Sequence, residues 1–382
     1  MNFTVPMPKF DDKLVEIIIE LEAYRNRPLI GTTEPWLFLE LKNIFHIVEA
    51  IASARIEGNH TTIVDFVSNQ SKLQNQPKNQ SSNSSESISE IINILKTLSF
   101  IDNNIQYPID KQFILEMQRH IVRDLHDEGD SQGGGSFRNI PISISGSKHQ
   151  PPQPADINNY ILSLTKMINT MNDRRTDLLK VALVHHRFVW IHPFRNRNGR
   201  TVRILTYAML CKLGLITPGN LRLYNPASVL ASNREKYYEM LENADDLSDE
   251  HLLDWCRYFL GGLLQEIKSS ENLSNYNFIL NEILLPSIKN AKFAGLLTQR
   301  EYEALIITSQ KSSTKAKDLE PVFKKKVTPN TITVFIKSLK QKNLVTPFKE
   351  GGREYHLSLS NNVLTPQIMN MLNKHGFLPK NI

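Results

Sequence analysis

Residues 192–203 read HPFRNRNGRTVR, and they separate two stretches in which apolar residues recur at the spacing of a helix. The first stretch runs from Thr176 to Ile191 and the second from Arg200 to Leu215. A proline does not continue a helix, so Pro193 marks the break between them. The pattern predicts two buried helices joined by a tight turn, with the second helix beginning near Asn198.

The start of the second helix is a candidate anion-binding site. Backbone N–H groups in the first turn of a helix have no partner within that helix, and the helix dipole favours negative charge there. Arg200 and Arg203 are three residues apart and therefore project to the same side. We expect this site to bind a polyphosphate. The imidazole of His192 would lie beside it as a candidate general base, because its ordinary pKa is close to physiological pH.

The N-terminal part of the chain is also predicted to be helical. From Glu34 to Ile56 apolar residues recur every three or four positions, and Gly58 and Asn59 suit the left-handed residue that often ends a helix. The polar run from Asn69 to Ser87 has almost nothing to bury and is predicted to be a loop. Further helices are predicted over residues 87–100, 110–124, 155–172, 237–241 and 251–269.

A different pattern occupies residues 129–154. A run of glycines is followed by Ile140, Ile142 and Ile144, which alternate with small polar residues, and then by prolines. Alternation bounded by glycine and proline predicts a short β-hairpin or flap.

The last part of the chain carries the excess positive charge. Residues 296–360 contain twelve Lys and Arg against six Asp and Glu, a difference that equals the formal charge of +6 of the whole chain. The order of helices followed by a hairpin resembles a winged helix-turn-helix, in which Asn330 to Lys342 would be the recognition helix and Lys349 to Arg353 the wing. Such a module would contact DNA through its basic residues, but winged helices also bind proteins.

The composition, with 40% hydrophobic and 22% charged residues in a chain of 382, is typical of a folded globular protein. No stretch reaches the roughly 18 apolar residues that a bilayer span needs, and the first residues lack the pattern of a secretory signal. Cys211 and Cys256 lie in helical patterns and offer neither a disulfide framework nor a metal site. We therefore expect a soluble protein of the reducing cytoplasm with no membrane partner.

The string at residues 192–203 resembles the motif of the Fic family, H-P-F-x-[DE]-G-N-G-R-x-x-R. The matching positions are His192, Pro193, Phe194, Asn198, Gly199, Arg200 and Arg203. Upstream, SARIEGN resembles the inhibitory helix motif [ST]-x-x-x-E-[GN] of one class of the family, with Ser53 and Glu57 at its defining positions. The resemblance covers about residues 3–263. It implies a mainly α fold, a Fic-type helical bundle with a β-hairpin flap, ahead of the C-terminal winged helix-turn-helix domain.

The resemblance implies transfer of AMP from ATP to a Tyr, Thr or Ser hydroxyl of a target protein. His192 would deprotonate the hydroxyl, and the backbone amides of Asn198 and Gly199 would stabilise charge on the phosphates. Arg200 would hold the β-phosphate and Arg203 the γ-phosphate, each through its planar fork of donors.

Two further regions receive roles from the resemblance. The flap would pair with an extended target segment as an added strand, and either Tyr237 or Tyr238 would stack on adenine. The residues assigned to the flap are Phe137, Arg138, Ile140 and Ile142.

Glu57 carries the regulatory hypothesis. An ion pair between Glu57 and Arg203 would admit ATP but displace its γ-phosphate, so the resting enzyme would be slow. Glu57 would also be the natural residue to position a water for removal of AMP, and the sequence leaves open whether that second activity exists.

Two residues depart from the motif. Asn196 stands where the family has the Asp or Glu of its metal site, and a neutral oxygen is a poorer partner for Mg²⁺ or Mn²⁺. Arg197 stands where the family has the first glycine of G-N-G. An arginine adds charge there, but it strains a tight turn that glycine tolerates best. Either Mg²⁺ would be held largely by the phosphates, or the nucleotide donor or the reaction differs from that of the family.

Three functions remain open. The first is an autoinhibited protein adenylyltransferase that a basic tail recruits to DNA or to a partner. The second is a DNA-binding regulator whose Fic body only senses nucleotide, and the third is a toxin-like module that its own helix holds inactive. A homodimer is compatible with all three. The predicted domains are an N-terminal helical region (1–109), a Fic core (110–289) and a winged-helix domain (290–382).

Overall fold

The protein is described by a computed structural model that covers residues 3–26, 31–63, 65–66, 83–125, 134–216 and 226–378. Its helices are α1 (Lys13–Asn26), α2 (Pro35–Ile56), α3 (Asn83–Asn104), α4 (Lys111–Ile121), α5 (Ile157–Asn169), α6 (Asp177–Ile191), α7 (Asn198–Lys212), α8 (Pro226–Ala231), α9 (Arg234–Asn243), α10 (Asp249–Ser270), α11 (Tyr276–Phe278), α12 (Leu285–Phe293), α13 (Gln299–Ser309), α14 (Pro329–Gln341) and α15 (Thr365–Lys374). Short 3₁₀ turns occupy Pro154–Asp156, Ala244–Asp246, Glu271–Ser274 and Ala316–Val322, and a π-helical turn, Ile279–Leu284, joins α11 to α12. The prediction of a mainly helical protein is confirmed.

Helix α7 lies at the centre of the helical body and is buried along almost its whole length. It packs against α6, from which the motif loop leads into it, and against α3. Helix α2 lies against α3 and α8, and its C-terminal end reaches the first turns of α7. The N-terminus of α7 is therefore surrounded by helices that are distant in sequence.

The C-terminal part of the chain contains a small antiparallel sheet. Its strands are β1 (Thr314–Lys315), β2 (Val345–Pro347) and β3 (Glu354–Leu357), in the order β1-β3-β2. Thr346 pairs with His356 and Thr314 with Tyr355. The predicted recognition helix corresponds to α14, and the predicted wing to the turn between β2 and β3. The assignment as a winged helix remains a prediction.

The flap differs from the predicted hairpin. Residues 137–152 run without strand pairing, apart from a turn in which Ser147 N–H donates to the Ile144 carbonyl at 3.1 Å. Ile142 and Ile144 are half-buried and alternate with exposed neighbours, so the period of two is present. The segment faces the cavity described below, where no second strand of the described chain is available to it.

Several predicted boundaries change. Helix α3 begins at Asn83, inside the run that was expected to be a loop, and residues 69–82 of that run lie outside the described residues. The boundary expected at residue 289 falls within α12. The domain division stays a prediction. Among the described helices, none is long and apolar enough to cross a membrane.

Candidate active site

The loop between α6 and α7 is held by its own backbone and side chains. His192 ends α6 in a left-handed conformation with φ 49°, and Arg197 precedes α7 in another with φ 65°. The Asn198 side chain accepts a hydrogen bond from Phe194 N–H at 2.9 Å and donates to the Phe194 carbonyl at 2.8 Å. The side chain of Asn198 therefore anchors the loop. The backbone N–H of Asn198, at the helix N-terminus, is left to meet a ligand.

His192 is arranged to accept a proton. Its Nδ1 lies 3.2 Å from the Val189 carbonyl oxygen, and since a carbonyl only accepts, Nδ1 carries the hydrogen and Nε2 keeps a lone pair. Burial lowers the pKa of His192 to about 4. The ring is therefore neutral near pH 7, the form that a general base requires.

Arg138 ties the flap to this loop. The residue is 3% exposed, and its guanidinium donates to four carbonyls, those of His192 (2.8 Å), Ile191, Ile140 and Pro152. Its backbone N–H donates to the Pro193 carbonyl at 2.9 Å. One buried side chain thus donates hydrogen bonds to the carbonyls at the end of α6, which have no partner within the helix, and it holds both ends of the flap.

The other flap residues have separate surroundings. The ring of Phe137 packs 5.4 Å from that of Phe194, beneath the motif loop. Ile142 lines the cavity in front of His192, whereas Ile140 is 45% exposed. The base of the flap is therefore part of the core, and its middle faces solvent and the cavity.

Arg203 contacts Ser53 and Glu57, the two defining positions of the segment SARIEGN. Its Nη2 donates to Glu57 Oε1 and to the Ser53 carbonyl, each at 2.9 Å, and its Nε donates to Ser53 Oγ at 2.9 Å. The guanidinium is 1% exposed, and its Nη1 has no hydrogen-bond partner within the described residues. The positive charges of Arg203 and Arg200 hold the pKa of Glu57 below its ordinary value against the opposing effect of burial.

Gly199 is required by this contact. A Cβ at this position would come 2.2 Å from Glu57 Oε1 and 3.1 Å from Arg203 Nη1. The carboxylate of Glu57 therefore lies directly against the first turn of α7, where the sequence predicts phosphate.

The partner of Arg200 is Glu90, which the sequence did not indicate. Glu90 Oε1 contacts Arg200 Nε and, at 2.6 Å, Arg197 Nη1. Its other oxygen accepts a hydrogen bond from Asn59 Nδ2 at 2.8 Å. Glu90 is 4% exposed, although in the sequence it is one acidic residue in an amphipathic helix.

A cavity of about 1240 Å³ opens in front of these groups. It is lined by His192, the α7 N-terminus, the flap and α9. Tyr238 is 40% exposed at its edge, with Arg234 5.6 Å from the centre of its ring. Tyr237 is 1% exposed, and its hydroxyl bonds to His185 Nε2 at 2.9 Å. Of the two tyrosines, Tyr238 is the one whose side chain is exposed at the cavity.

The donors of the site suit phosphates better than a metal. Five arginines line the cavity: Arg195, Arg197, Arg200, Arg203 and Arg234. Asn196 is the neutral residue at the motif's metal position, and the described residues contain no cluster of three His, Cys, Asp or Glu side chains that could hold a metal ion. The orphaned Nη1 of Arg203 fits a phosphate oxygen, whereas a hard dication prefers anionic oxygens.

Comparison with known proteins agrees with this geometry. Residues 108–210 match the Fic/DOC family. The protein adenylyltransferase Fic of Drosophila yakuba is 28% identical over 161 residues, which cover 41% of this chain and 30% of that protein. The protein of the same name from Aedes aegypti is 30% identical over 134 residues, or 35% of this chain and 24% of that protein. The match therefore spans less than a third of the length of these relatives.

Two solved structures share the fold. A Fic family protein from Desulfovibrio desulfuricans G20 superposes with a TM-score of 0.56 and 17% identity, covering 92% of this chain and 98% of that one. A Fic domain containing signaling protein from Bacteroides thetaiotaomicron VPI-5482 gives a TM-score of 0.51 and 18% identity, covering 69% and 97%. The motif, the family match and the shared fold together identify residues 108–210 of this chain as a Fic/DOC domain.

Proposed function

We propose that this chain is an autoinhibited protein adenylyltransferase, which transfers AMP from ATP to a Tyr, Thr or Ser hydroxyl of a target protein. The observation that carries the proposal is the surroundings of Arg203. This buried arginine has one donor on Glu57 and another without a partner in the described chain, directed at the helix N-terminus. The curated relatives are named protein adenylyltransferases, which supports the same chemistry.

The residues around the cavity divide the reaction between them. His192 Nε2 would take the proton of the target hydroxyl, whose oxygen forms a bond to the α-phosphorus of ATP as the bond to the β-phosphate oxygen breaks. Pyrophosphate leaves, and AMP stays on the target oxygen. Arg200 and Arg203 would hold the β- and γ-phosphates, and the N–H groups of Asn198 and Gly199 would face the phosphate oxygens.

Glu57 would keep the resting enzyme slow. Its carboxylate occupies the space that a γ-phosphate needs next to Arg203 and Gly199. A displaced γ-phosphate shifts the α-phosphorus relative to His192, and an error of about 1 Å can cost on the order of 100-fold in rate.

The flap would receive the target. Its exposed and half-buried residues between Arg138 and Pro152 have backbone groups without strand partners in the described chain, and residues 142–147 border the same cavity as His192. A target segment that pairs with this edge would be positioned by main-chain hydrogen bonds rather than by side-chain identity.

The test is covalent labelling with ATP that carries the label on the α-phosphate. We expect the purified full chain, mixed with a cell lysate, to transfer label to protein, and we expect His192→Ala to abolish the transfer while its thermal unfolding stays near that of wild type. The matched control is His251→Ala, which removes an exposed histidine on α10. Label that persists in His192→Ala would refute the proposed role of the imidazole.

A second candidate function rests on the C-terminal part of the chain. Helix α14 buries Ile332, Ile336 and Leu339 on one side, and Lys324 to Lys326 before it are exposed. A DNA-binding regulator would bind duplex DNA with an affinity that falls steeply as salt rises, because each neutralised phosphate releases counterions. Tight DNA binding without covalent label would favour this function, and no binding at low salt would remove it.

A further inference from the structure

The residue at the motif's metal position lies between two positive charges. Arg195 and Arg197 flank Asn196, and all three line the cavity. The guanidinium of Arg195 donates to Asn139 Oδ1 at 3.1 Å, and that of Arg197 to Glu90. A dication next to Asn196 would gain no carboxylate from this residue and would be repelled by both neighbours. The residues present do not fit the metal that the family motif implies.

Glu90 places Arg197 beside the predicted β-phosphate site. The same oxygen, Oε1, contacts both Arg197 and Arg200, so the two guanidinium groups are neighbours. Asn59 fixes the other oxygen of this carboxylate. One carboxylate between two guanidinium groups leaves the cluster with a net positive charge, at a depth where water screens it little because Glu90 is 4% exposed.

The backbone of Arg197 adopts a conformation that is unfavourable for a residue with a side chain. The residue has φ 65° and ψ 20°, a conformation that glycine adopts without cost and that costs other residues about 1–2 kcal/mol. The motif has glycine at this position. A strained arginine in the wall of a functional cavity is an outlier of the kind that marks a ligand contact.

From these observations we propose that Arg197, oriented by Glu90, supplies at the β-phosphate the positive charge that a carboxylate-bound dication supplies in chains with the unmodified motif. This chain then binds a nucleoside triphosphate without a divalent cation. The inference rests on the nucleotide site of the proposed function, and it makes Arg197 a phosphate-binding residue and Glu90 a positioning residue.

The experiment measures ATP binding to the full chain by calorimetry, once in excess EDTA and once in excess Mg²⁺. We expect the Kd of wild type to differ by less than about threefold between the two conditions. Arg197→Gln and Arg197→Gly are expected to weaken binding in EDTA by about 10- to 100-fold, the effect of losing one charge-assisted contact. Only Arg197→Gly relieves the backbone strain. Equal losses of ATP affinity in Arg197→Gln and Arg197→Gly would therefore show that the loss comes from the missing charge.

Two further variants complete the design. Arg195→Gln removes a charge from the same loop without touching Glu90 and should weaken binding in EDTA much less than Arg197→Gln. Asn196→Asp combined with Arg197→Gly restores the motif, and its binding should become dependent on Mg²⁺. Thermal unfolding of each variant checks that it is folded.

The outcomes are distinct. Wild-type binding that is lost in EDTA, or binding that Arg197→Gln leaves unchanged, would overturn the inference, as would an absence of ATP binding in both conditions. Metal-independent binding without any His192-dependent label would support the inference and refute the proposed transfer reaction.

Discussion

At the scale of single residues, the site is organised by two carboxylates that pair with arginines at positions 197, 200 and 203. Glu57 holds Arg203 from the end of α2, and Glu90 holds Arg197 and Arg200 from α3. The two differ in their surroundings. Glu57 lies against Gly199, where a phosphate would compete with it, whereas Glu90 is fixed from behind by Asn59. Of the two carboxylates, Glu57 is therefore the one that a phosphate can displace from its ion pair with Arg203.

Removal of the Glu57 carboxylate should release the site. Glu57→Gly is expected to raise self-labelling with α-labelled ATP by roughly 10- to 100-fold, because the γ-phosphate can then reach Arg203. Glu57→Gln, which removes the charge and keeps the size, should give a smaller increase. The control is Glu34→Gln, at the opposite end of α2. A rate that stays unchanged or falls in Glu57→Gly would contradict the inhibitory role.

A buried carboxyl on the same helix predicts a pH effect on stability. Both oxygens of Glu49 lie 3.0 Å from the Ala227 N–H, and burial raises the pKa of Glu49 to about 8 from its ordinary 4.5. The folded state therefore binds the proton more tightly than the unfolded state. The stability that this proton provides is fully present below pH 4.5 and is lost as pH rises towards 8.

Glu49→Gln stays neutral and should escape this loss. We expect its Tm to be close to that of wild type at pH 5 and to exceed it by more than about 3 °C at pH 8. The control is Glu34→Gln, which changes a half-buried carboxyl at the start of α2 in the same way. Parallel Tm curves for wild type and Glu49→Gln between pH 5 and pH 8 would show that Glu49 is ionised when folded.

At the scale of elements, the base of the flap and the end of α6 form one unit through Arg138. The four carbonyls that it satisfies come from both segments. The position of His192 relative to the flap therefore depends on a side chain that is not among the residues lining the cavity. The middle of the flap has no strand partner within the described residues.

Arg138→Lys keeps the charge but loses the planar fork that reaches several carbonyls. We expect it to lower the free energy of unfolding by about 2–3 kcal/mol, since carbonyls inside the protein lose their donors. Labelling should fall by at least about tenfold because the flap no longer lies in register with His192. Arg195→Lys, where the guanidinium donates to the exposed Asn139 side chain, should cost less than about 1 kcal/mol. Urea unfolding measures both variants. Equal free energies of unfolding for Arg138→Lys and Arg195→Lys would refute the anchoring role of Arg138.

At the scale of the whole molecule, α2 connects the C-terminal sheet to the active site. At its N-terminal end the ring of Trp36 stacks on His356, with centroids 4.8 Å apart, and meets the edge of Phe348. One turn later Glu40 accepts a hydrogen bond from Leu359 N–H at 2.8 Å. The opposite end of the helix carries Glu57. The two parts of the chain thus share one rigid element.

Trp36→Ala should weaken this junction. The side chain is 6% exposed, so its truncation is expected to cost about 3–5 kcal/mol of unfolding free energy. Urea unfolding followed by circular dichroism measures the loss. Phe10→Ala, which truncates an aromatic residue that is 92% exposed, is the control and should change stability by less than about 0.5 kcal/mol. A cost below about 1 kcal/mol for Trp36→Ala would mean that the junction contributes little.

The sequence by itself determined what depends on neighbours along the chain. Helix α2 ends before Gly58, which adopts φ 92°, and α7 begins at Asn198 as its motif indicates. The position of Arg197 in a turn that favours glycine was also readable, because the backbone demand is local. Apolar spacing was sufficient for most helices of the body, since burial of one face is a local pattern.

Only the tertiary structure decided which distant groups meet. Glu90 resembles an ordinary acidic residue on an amphipathic helix, and its pairing with arginines more than a hundred positions away depends on how α3 crosses α7. The same applies to Tyr237 and Tyr238, which are adjacent in sequence but lie on different faces of α9. The flap lacks its hairpin because strand pairing needs a partner at the right distance, and spacing along one chain does not specify that partner.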